Sequence, residues 1–202
     1  MTPVDFRRVV VVGTTGAGKT TVARILADKW GVPCVELDAL YWGPNWTPVP
    51  DDVFRERVAQ AVVQDAWVVD GNYGVVRHLI WQRADKVIWL DYSLTAILRQ
   101  LIGRTCGRIL RREELWSGNR ESLSRVLLRR DSIILWALRT YHRRRRTYSA
   151  LMRDSGFDSV RFVRLLSLPE TKRWLDSLGG CDGDALPLPL RQGAVMQTTL
   201  PE

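Results

Sequence analysis

The sequence predicts a three-layer α/β/α fold around a parallel sheet, and three observations carry that reading. Short apolar, β-branched runs alternate with segments of helical period along most of the chain, the pattern of a parallel sheet covered on both faces. A glycine-rich stretch lies between the first such run and the first helical segment. Acidic residues (Asp38, Asp70 and Asp91) stand where the runs end, and in sheets of this class ligands bind at the carboxyl ends of the strands.

The elements follow in order. Four valines at 9–12, after Arg7 and Arg8 and before Gly13, predict a buried first strand. Val22, Ile25, Leu26 and Trp30 recur at helical spacing over 20–30, and Gly31 stands at the C-terminal cap position. A second strand spans 32–37 and ends at Asp38. Residues 41–50 carry Gly43, Pro44, Asn45, Pro48 and Pro50 and read as a loop, one that also holds Tyr41, Trp42 and Trp46. A helix follows over 51–65, with Phe54, Val58, Ala61 and Val62 on one side, then a third strand at 67–69 closed by the turn Asp70-Gly71-Asn72.

A short helix at 75–82 and a fourth strand at 86–90 lead to Asp91. Leu94, Ile97, Leu98, Leu101 and Ile102 predict a helix over 94–110, interrupted at 113–119 by a stretch with Gly118. A long helix is expected from 122 to 152, striped by Leu123, Val126, Leu127, Ile134, Leu138 and Tyr141. The fifth strand is 160–165, and Ser167-Leu168-Pro169-Glu170 is a capping box opening a last helix to 178. Residues 179–202 hold four glycines and three prolines without an aromatic side chain, and read as a flexible tail behind one domain over 1–178.

Composition narrows the class. A chain of 202 residues, 46% hydrophobic and 26% charged, fits one globular domain and excludes collagen, a coiled coil and wholesale disorder. Cys34, Cys106 and Cys181 have no metal-ligand or redox spacing. No stretch approaches the ~18–20 apolar residues of a membrane span, and the N-terminal apolar run is too short for a signal peptide. A reducing, cytoplasmic setting without membrane partners is expected, with a monomer favoured. The net charge of +8 is uneven. From 99 to 146 there are 14 arginines, no lysine and four acids, so this segment carries +10 and the remainder −2. Such a segment suits nucleic acid or a bidentate grip on phosphate; no reader motif supports the first.

Gly13-Thr14-Thr15-Gly16-Ala17-Gly18-Lys19-Thr20 fits G-x-x-x-x-G-K-[ST] at every fixed position, with Thr21 following. Glycines let consecutive peptide N–H groups turn inward around a phosphate chain, and the next helix adds its N-terminal dipole. The expected ligands are ATP and Mg²⁺. Lys19 reaches the terminal phosphates, and the Thr20 hydroxyl ligates the metal. Phosphoryl transfer also needs carboxylates, one for the metal and one for the acceptor. Asp70, after the apolar strand 67–69, is the metal candidate with Thr20, and Asp38 is the acceptor candidate.

Arg104, Arg108, Arg111 and Arg112 share one helical face. Aimed at phosphates, Arg104 and Arg108 would stabilise the charge on the transferring group. The run 143–146 reads as a solvated face, and Trp67, Trp81, Trp89 and Trp136 as core. Tyr41, Trp42 and Trp46 either stack on an acceptor or pack their loop; His78 and His142 read as structural or exposed.

The stretches VVVVGTTGAGKTT, CVELDALYWGPNW, AWVVDGNY, DKVIWLDYS and EELWSGNRESL resemble the nucleoside-monophosphate-kinase-like P-loop kinases. The nearest likeness is to adenylate-kinase-related bacterial proteins labelled "topology modulation protein", with LDALYWGPNW and LWSGNRES as the narrower signature. The resemblance covers about 7–178. It implies a P-loop NTPase sheet of order 2-3-1-4-5, an acceptor-binding segment over 38–66 and a small helical lid over 104–120. It implies an ATP-dependent phosphotransferase acting on a small-molecule acceptor, a nucleoside monophosphate as first choice. Gly74 stands where adenylate kinase has an arginine, and the shorter acceptor segment also resembles that of shikimate and gluconate kinases. The alternatives are a nucleotide-binding regulator acting on nucleic acid and a kinase of a non-nucleotide metabolite.

Overall fold

The computed structural model describes residues 7–111, 115–119 and 133–178. Strands β1 (Arg8–Gly13), β2 (Cys34–Glu36), β3 (Trp67–Asp70), β4 (Lys86–Leu90) and β5 (Arg161–Leu165) form one sheet in the order β2-β3-β1-β4-β5. Every neighbouring pair is parallel, with Val11 opposite Asp70 and Gly13 opposite Leu90. The helices are α1 (Lys19–Trp30), α2 (Leu37–Tyr41), α3 (Asp51–Ala61), α4 (Gly74–Trp81), α5 (Leu94–Arg111), α6 (Ile133–Leu151) and α7 (Leu168–Ser177). The chain is thus a P-loop NTPase three-layer fold with the expected strand order. Among the described residues no helix is long and apolar enough to cross a membrane.

The valine run explains the two layers. Successive strand side chains point to opposite faces. Val10 and Val12 join one core with Phe54, Val58, Trp67, Trp81 and Tyr148. Val9 and Val11 join the other with Leu26, Ile88, Ile97 and Tyr141. All four valines are at most 1% exposed, so a strand buried on both sides must be apolar at every position.

Several expectations are corrected. β2 ends at Glu36, the last residue in register with Asp70, so Asp38 lies in the first turn of α2 and not at a strand end. Leu37 is drawn down beneath Gly71, where an added Cβ would meet its side chain at 2.7 Å. Residues 38–66 therefore hold α2 and a 3-10 turn (Pro44–Trp46) besides α3, which stops at Ala61. Trp136 is 49% exposed, and Ile25, Ile102 and Leu138 also face outward. The inward face of α6 runs through Ala137, Thr140, Tyr141 and Tyr148, a mixed stripe that counting apolar residues misplaces. The long helix is described only from Ile133. Arg112, Glu113, Glu114, Arg120, Arg125, Arg129, Arg130 and the tail 179–202 lie outside the described residues.

Three ties fix the frame around the site. Asp91, at the end of β4, is a structural anchor: its carboxylate is 1% exposed and pairs with Arg145 at 2.8 Å and Arg164 at 2.5 Å. The cap of α7 forms between Ser167 and the Glu170 N–H at 3.3 Å, while the Glu170 carboxylate accepts from the Leu166 N–H at 2.7 Å. The Asp85 carboxylate accepts from the backbone N–H groups of Arg7 and Arg8 and from the Arg8 guanidinium.

Burial acts to raise Asp85, but these bonds outweigh it and hold its pKa below the usual carboxylate value. A depressed folded-state pKa gives stability that is present above about pH 4 and is lost as pH falls through the folded value. Asp85→Asn is expected to lower stability at neutral pH by about 1–3 kcal/mol and to flatten its acid dependence, as read by urea melts across pH 2–7.

Candidate functional site

The site lies at the carboxyl ends of β1, β2 and β3. Between β1 and α1 the chain curls through Gly13, Thr14, Thr15, Gly16, Ala17 and Gly18, closed by a hydrogen bond from the Ala17 N–H to the Thr14 carbonyl at 3.0 Å. Gly16 has φ 89° and lies so close to α5 that a Cβ there would meet the Leu101 Cβ at 2.9 Å and the Ile97 carbonyl at 3.1 Å. Only glycine takes that backbone in that space. Lys19, Thr20 and Thr21 open α1, whose first N–H groups and dipole face the loop.

The last residue of β3 and the three that follow it reach three parts of the site. Thr20 donates to Asp70 Oδ2 at 2.5 Å. Gly71 lets the chain pass over Leu37. The Asn72 side chain clamps the first loop peptide: its Oδ1 accepts from the Gly13 N–H at 3.1 Å, and its Nδ2 donates to the Gly13 carbonyl. The Tyr148 hydroxyl donates to the same Oδ1 at 2.9 Å. Tyr73 donates to Asp38 Oδ1 at 2.5 Å.

The electrostatics fit an anionic ligand with a cation. Burial lowers the Lys19 ammonium, opposed mainly by the Asp70 charge. Burial raises the Asp70 carboxyl, opposed by Lys19 and by the Thr20 hydroxyl. Asp70 is only 7% exposed, and its Oδ1 has no protein hydrogen-bond partner. An orphaned buried carboxylate oxygen beside a threonine hydroxyl at a phosphate loop is the donor set a hard divalent cation takes, so the residues fit Mg²⁺. Burial, aided by the Asp38 charge, pushes the Tyr73 phenol well up, which keeps it a donor.

Arg144 is the residue that sequence reasoning misjudged. It extends from α6 over the phosphate loop, with Nη1 3.4 Å from the Gly13 carbonyl. Burial lowers its guanidinium, and the charges of Tyr148 and Asp38 partly restore it. Its own charge is felt at Lys19. The run 143–146 is therefore divided: Arg144 and Arg145 turn to the body, Arg143 and Arg146 to solvent. The missed signal was periodic, because Ala137, Tyr141, Arg144 and Tyr148 fall on one helical stripe. Arg104 lies on α5 with its charge felt at Lys19, and Arg108 follows one turn along the same face.

The fold brings Lys19, Thr20, Asp70, Asp38 and Arg104 to one end of the sheet. Asn72, Tyr73, Arg144 and Tyr148 were not singled out. Asp70-Gly71-Asn72 reads locally as turn chemistry, and only the fold reveals the Asn72 clamp.

Residues 9–91 match the family described as ATPase family associated with various cellular activities (AAA). The chain is 34% identical over 125 residues to the shikimate kinase of Symbiobacterium thermophilum, covering 54% of this chain and 70% of that protein. It is 27% identical over 111 residues to the shikimate kinase of a Sulfurihydrogenibium species, covering 48% and 67%. A crystal structure of shikimate kinase from Bacteroides thetaiotaomicron superposes with a TM-score of 0.52 at 14% identity, covering 86% of this chain and 96% of that one, which marks a shared fold.

Proposed function

Because the chain belongs to the shikimate kinase family and is a P-loop kinase, we propose that it moves the γ-phosphoryl group of Mg²⁺-ATP to a hydroxyl group of a small, anionic acceptor. The observation that carries this reading is the Asp38 carboxylate, oriented by Tyr73 and within electrostatic reach of Lys19, Asp70 and Arg144. A carboxylate there suits an acceptor that brings a proton to be removed. Arg144 supplies the counter-charge for an acidic group on the same acceptor. Shikimate, the substrate named by the relatives, has both features.

In this reading the loop 13–21 holds the ATP phosphates. Lys19 lies along the β- and γ-phosphates, and Thr20 and Asp70 would hold Mg²⁺. Bound Mg²⁺ neutralises phosphate charge. Asp38 takes the acceptor proton, and Arg104 and Arg108 meet the charge that develops on the transferring group. A nucleoside monophosphate is the second reading, favoured by the rings of Tyr41 and Trp42 close to Tyr73 and Asp38, which offer flat faces to a base. A cytoplasmic setting goes with either, since ATP is there. We also keep the narrower kinship with the bacterial adenylate-kinase-related proteins. It rests on LDALYWGPNW and LWSGNRES, two stretches that hydrogen-bond to each other through Trp42, Gly43, Trp46, Ser117 and Asn119.

The test is ADP release from Mg²⁺-ATP across shikimate, gluconate and a panel of nucleoside monophosphates, with Lys19→Ala as control. Stimulation by shikimate or another hydroxyl acid supports the first reading, and stimulation by a monophosphate the second. ATP binding without stimulation by any acceptor, or turnover that survives in Lys19→Ala, overturns the assignment. Arg144→Ala is expected to cut turnover at least about tenfold by removing a charge-assisted contact, whereas Arg146→Ala, on the solvent side, is expected to be silent.

A further inference from the structure

Resting on that reading, we infer that Asn119 is a positioning residue for Asp38: the short segment 115–119 sets the acceptor carboxylate through the rings of Trp46, Trp42, Tyr41 and Tyr73. Asn119 lies 73 residues from Trp46 in sequence, yet its side chain is built into the acceptor loop. Oδ1 accepts from the Trp46 N–H at 2.9 Å. Nδ2 donates to the Gly43 carbonyl at 2.9 Å and to the Trp116 carbonyl at 2.8 Å. The residue is 5% exposed. An amide offers an acceptor and two donors in one plane, so no smaller or charged side chain repeats the set. Ser117 adds a bond to the Trp42 carbonyl at 2.9 Å, and the Trp116 indole donates to Glu36 at 3.1 Å.

The backbone carries a second, independent sign. Asn45 (57°), Trp46 (59°) and Ser117 (56°) are the non-glycine residues with positive φ among those described, and all three belong to this one contact. A left-handed backbone is costly for a residue as bulky as tryptophan, and such strain persists only where the surroundings over-determine it, as at functional sites. Here Asn119 is what over-determines it, by taking the N–H of the strained Trp46.

From Trp46 the contact runs inward. The Trp46 ring packs edge-on against Trp42 at 5.8 Å between centroids. The Trp42 ring packs edge-on against Tyr41 at 4.9 Å and Tyr41 lies 4.6 Å from Tyr73, whose hydroxyl donates to Asp38. Tyr73 is itself wedged between Tyr41 at 4.6 Å and Phe54 at 5.0 Å. Its hydroxyl can thus move only with its neighbours, and a loop released at Trp46 lets Trp42 and Tyr73 turn away from the carboxylate.

The experiment uses the full chain labelled with 3-fluorotyrosine. The sequence has five tyrosines, and the Tyr73 fluorine signal is assigned by its loss in Tyr73→Phe. Asn119→Ala is expected to shift the Tyr73 signal, to speed hydrogen exchange at the Trp46 amide about tenfold or more, and to leave MgADP affinity unchanged. With the acceptor found by the panel, kcat is expected to fall roughly ten- to a hundredfold while KM for ATP holds. Asn119→Asp, which keeps the acceptor for the Trp46 N–H, is expected to restore most of the amide protection and guards against a variant that fails to fold. A Tyr73 signal that stays in place in Asn119→Ala overturns the inference, and so does a kcat equal to wild type when the signal has moved. If the wild-type chain turns over no acceptor, the kinase reading fails, while the Tyr73 signal still decides the link from Asn119 to the Asp38 carboxylate.

Discussion

Lys19→Ala is expected to reduce phosphoryl transfer by about a thousandfold or more while the fold persists. Removing one preorganised donor to developing charge already costs about 10²–10³ in rate, and Lys19 opens α1 directly after the glycine loop. The fold tolerates the change for a separate reason. Burial lowers the Lys19 ammonium, so its charge is carried at a cost in the folded protein, and the α1 turn it belongs to is fixed by the loop and by Val22 and Leu26 below. Circular dichroism and melting temperature should match wild type, with ADP release at background. Retained turnover would remove the phosphate loop from the mechanism.

Asp38→Asn is expected to lower kcat by about a hundredfold or more, since a positioned general base contributes about 10²–10⁴. The amide keeps the shape and still accepts the Tyr73 bond, so α2 should stay in place. The lost property is the negative charge that takes a proton. MgATP affinity should hold or rise, because a negative charge that acts on Lys19 is removed while the hydrogen bond of Asp38 is to Tyr73 and not to the loop 13–21. Transfer at the wild-type rate would assign Asp38 to acceptor packing alone. A loss of ATP binding instead of turnover would move it to the donor side.

The strands themselves and the position of the loop were legible because each rests on a local rule, whereas the order of the strands was implied by the family resemblance. The valine run, the glycine spacing and the capping serine state their own geometry. Asp38 was singled out as a candidate but misplaced as an element, because the end of β2 is set by its register with Asp70 and by the burial of Leu37 under Gly71, neither of which is local. Arg144 was hidden in a run of four arginines, where charge dominates the reading and the tyrosine-lined stripe around it does not register as a core face. Trp136 failed the other way: an apolar residue at helical spacing that faces outward on α6. Asn119 carries no signal in isolation, since an asparagine after Gly118 reads as a turn. Its partners lie in a loop read for its aromatic rings and not for its carbonyls.

The short stretch that runs from the last residue of β3 has a kinematic consequence. Asp70, Asn72 and Tyr73 touch Thr20, the first loop peptide and Asp38 within four residues of chain. In-line transfer depends on the distance between donor and acceptor, and not on where either lies in the molecule. With one short segment bonded to all three, the two half-sites share a common origin, and a shift of that segment carries both. The sheet can breathe as a whole, and the gap a phosphoryl group must cross stays the same.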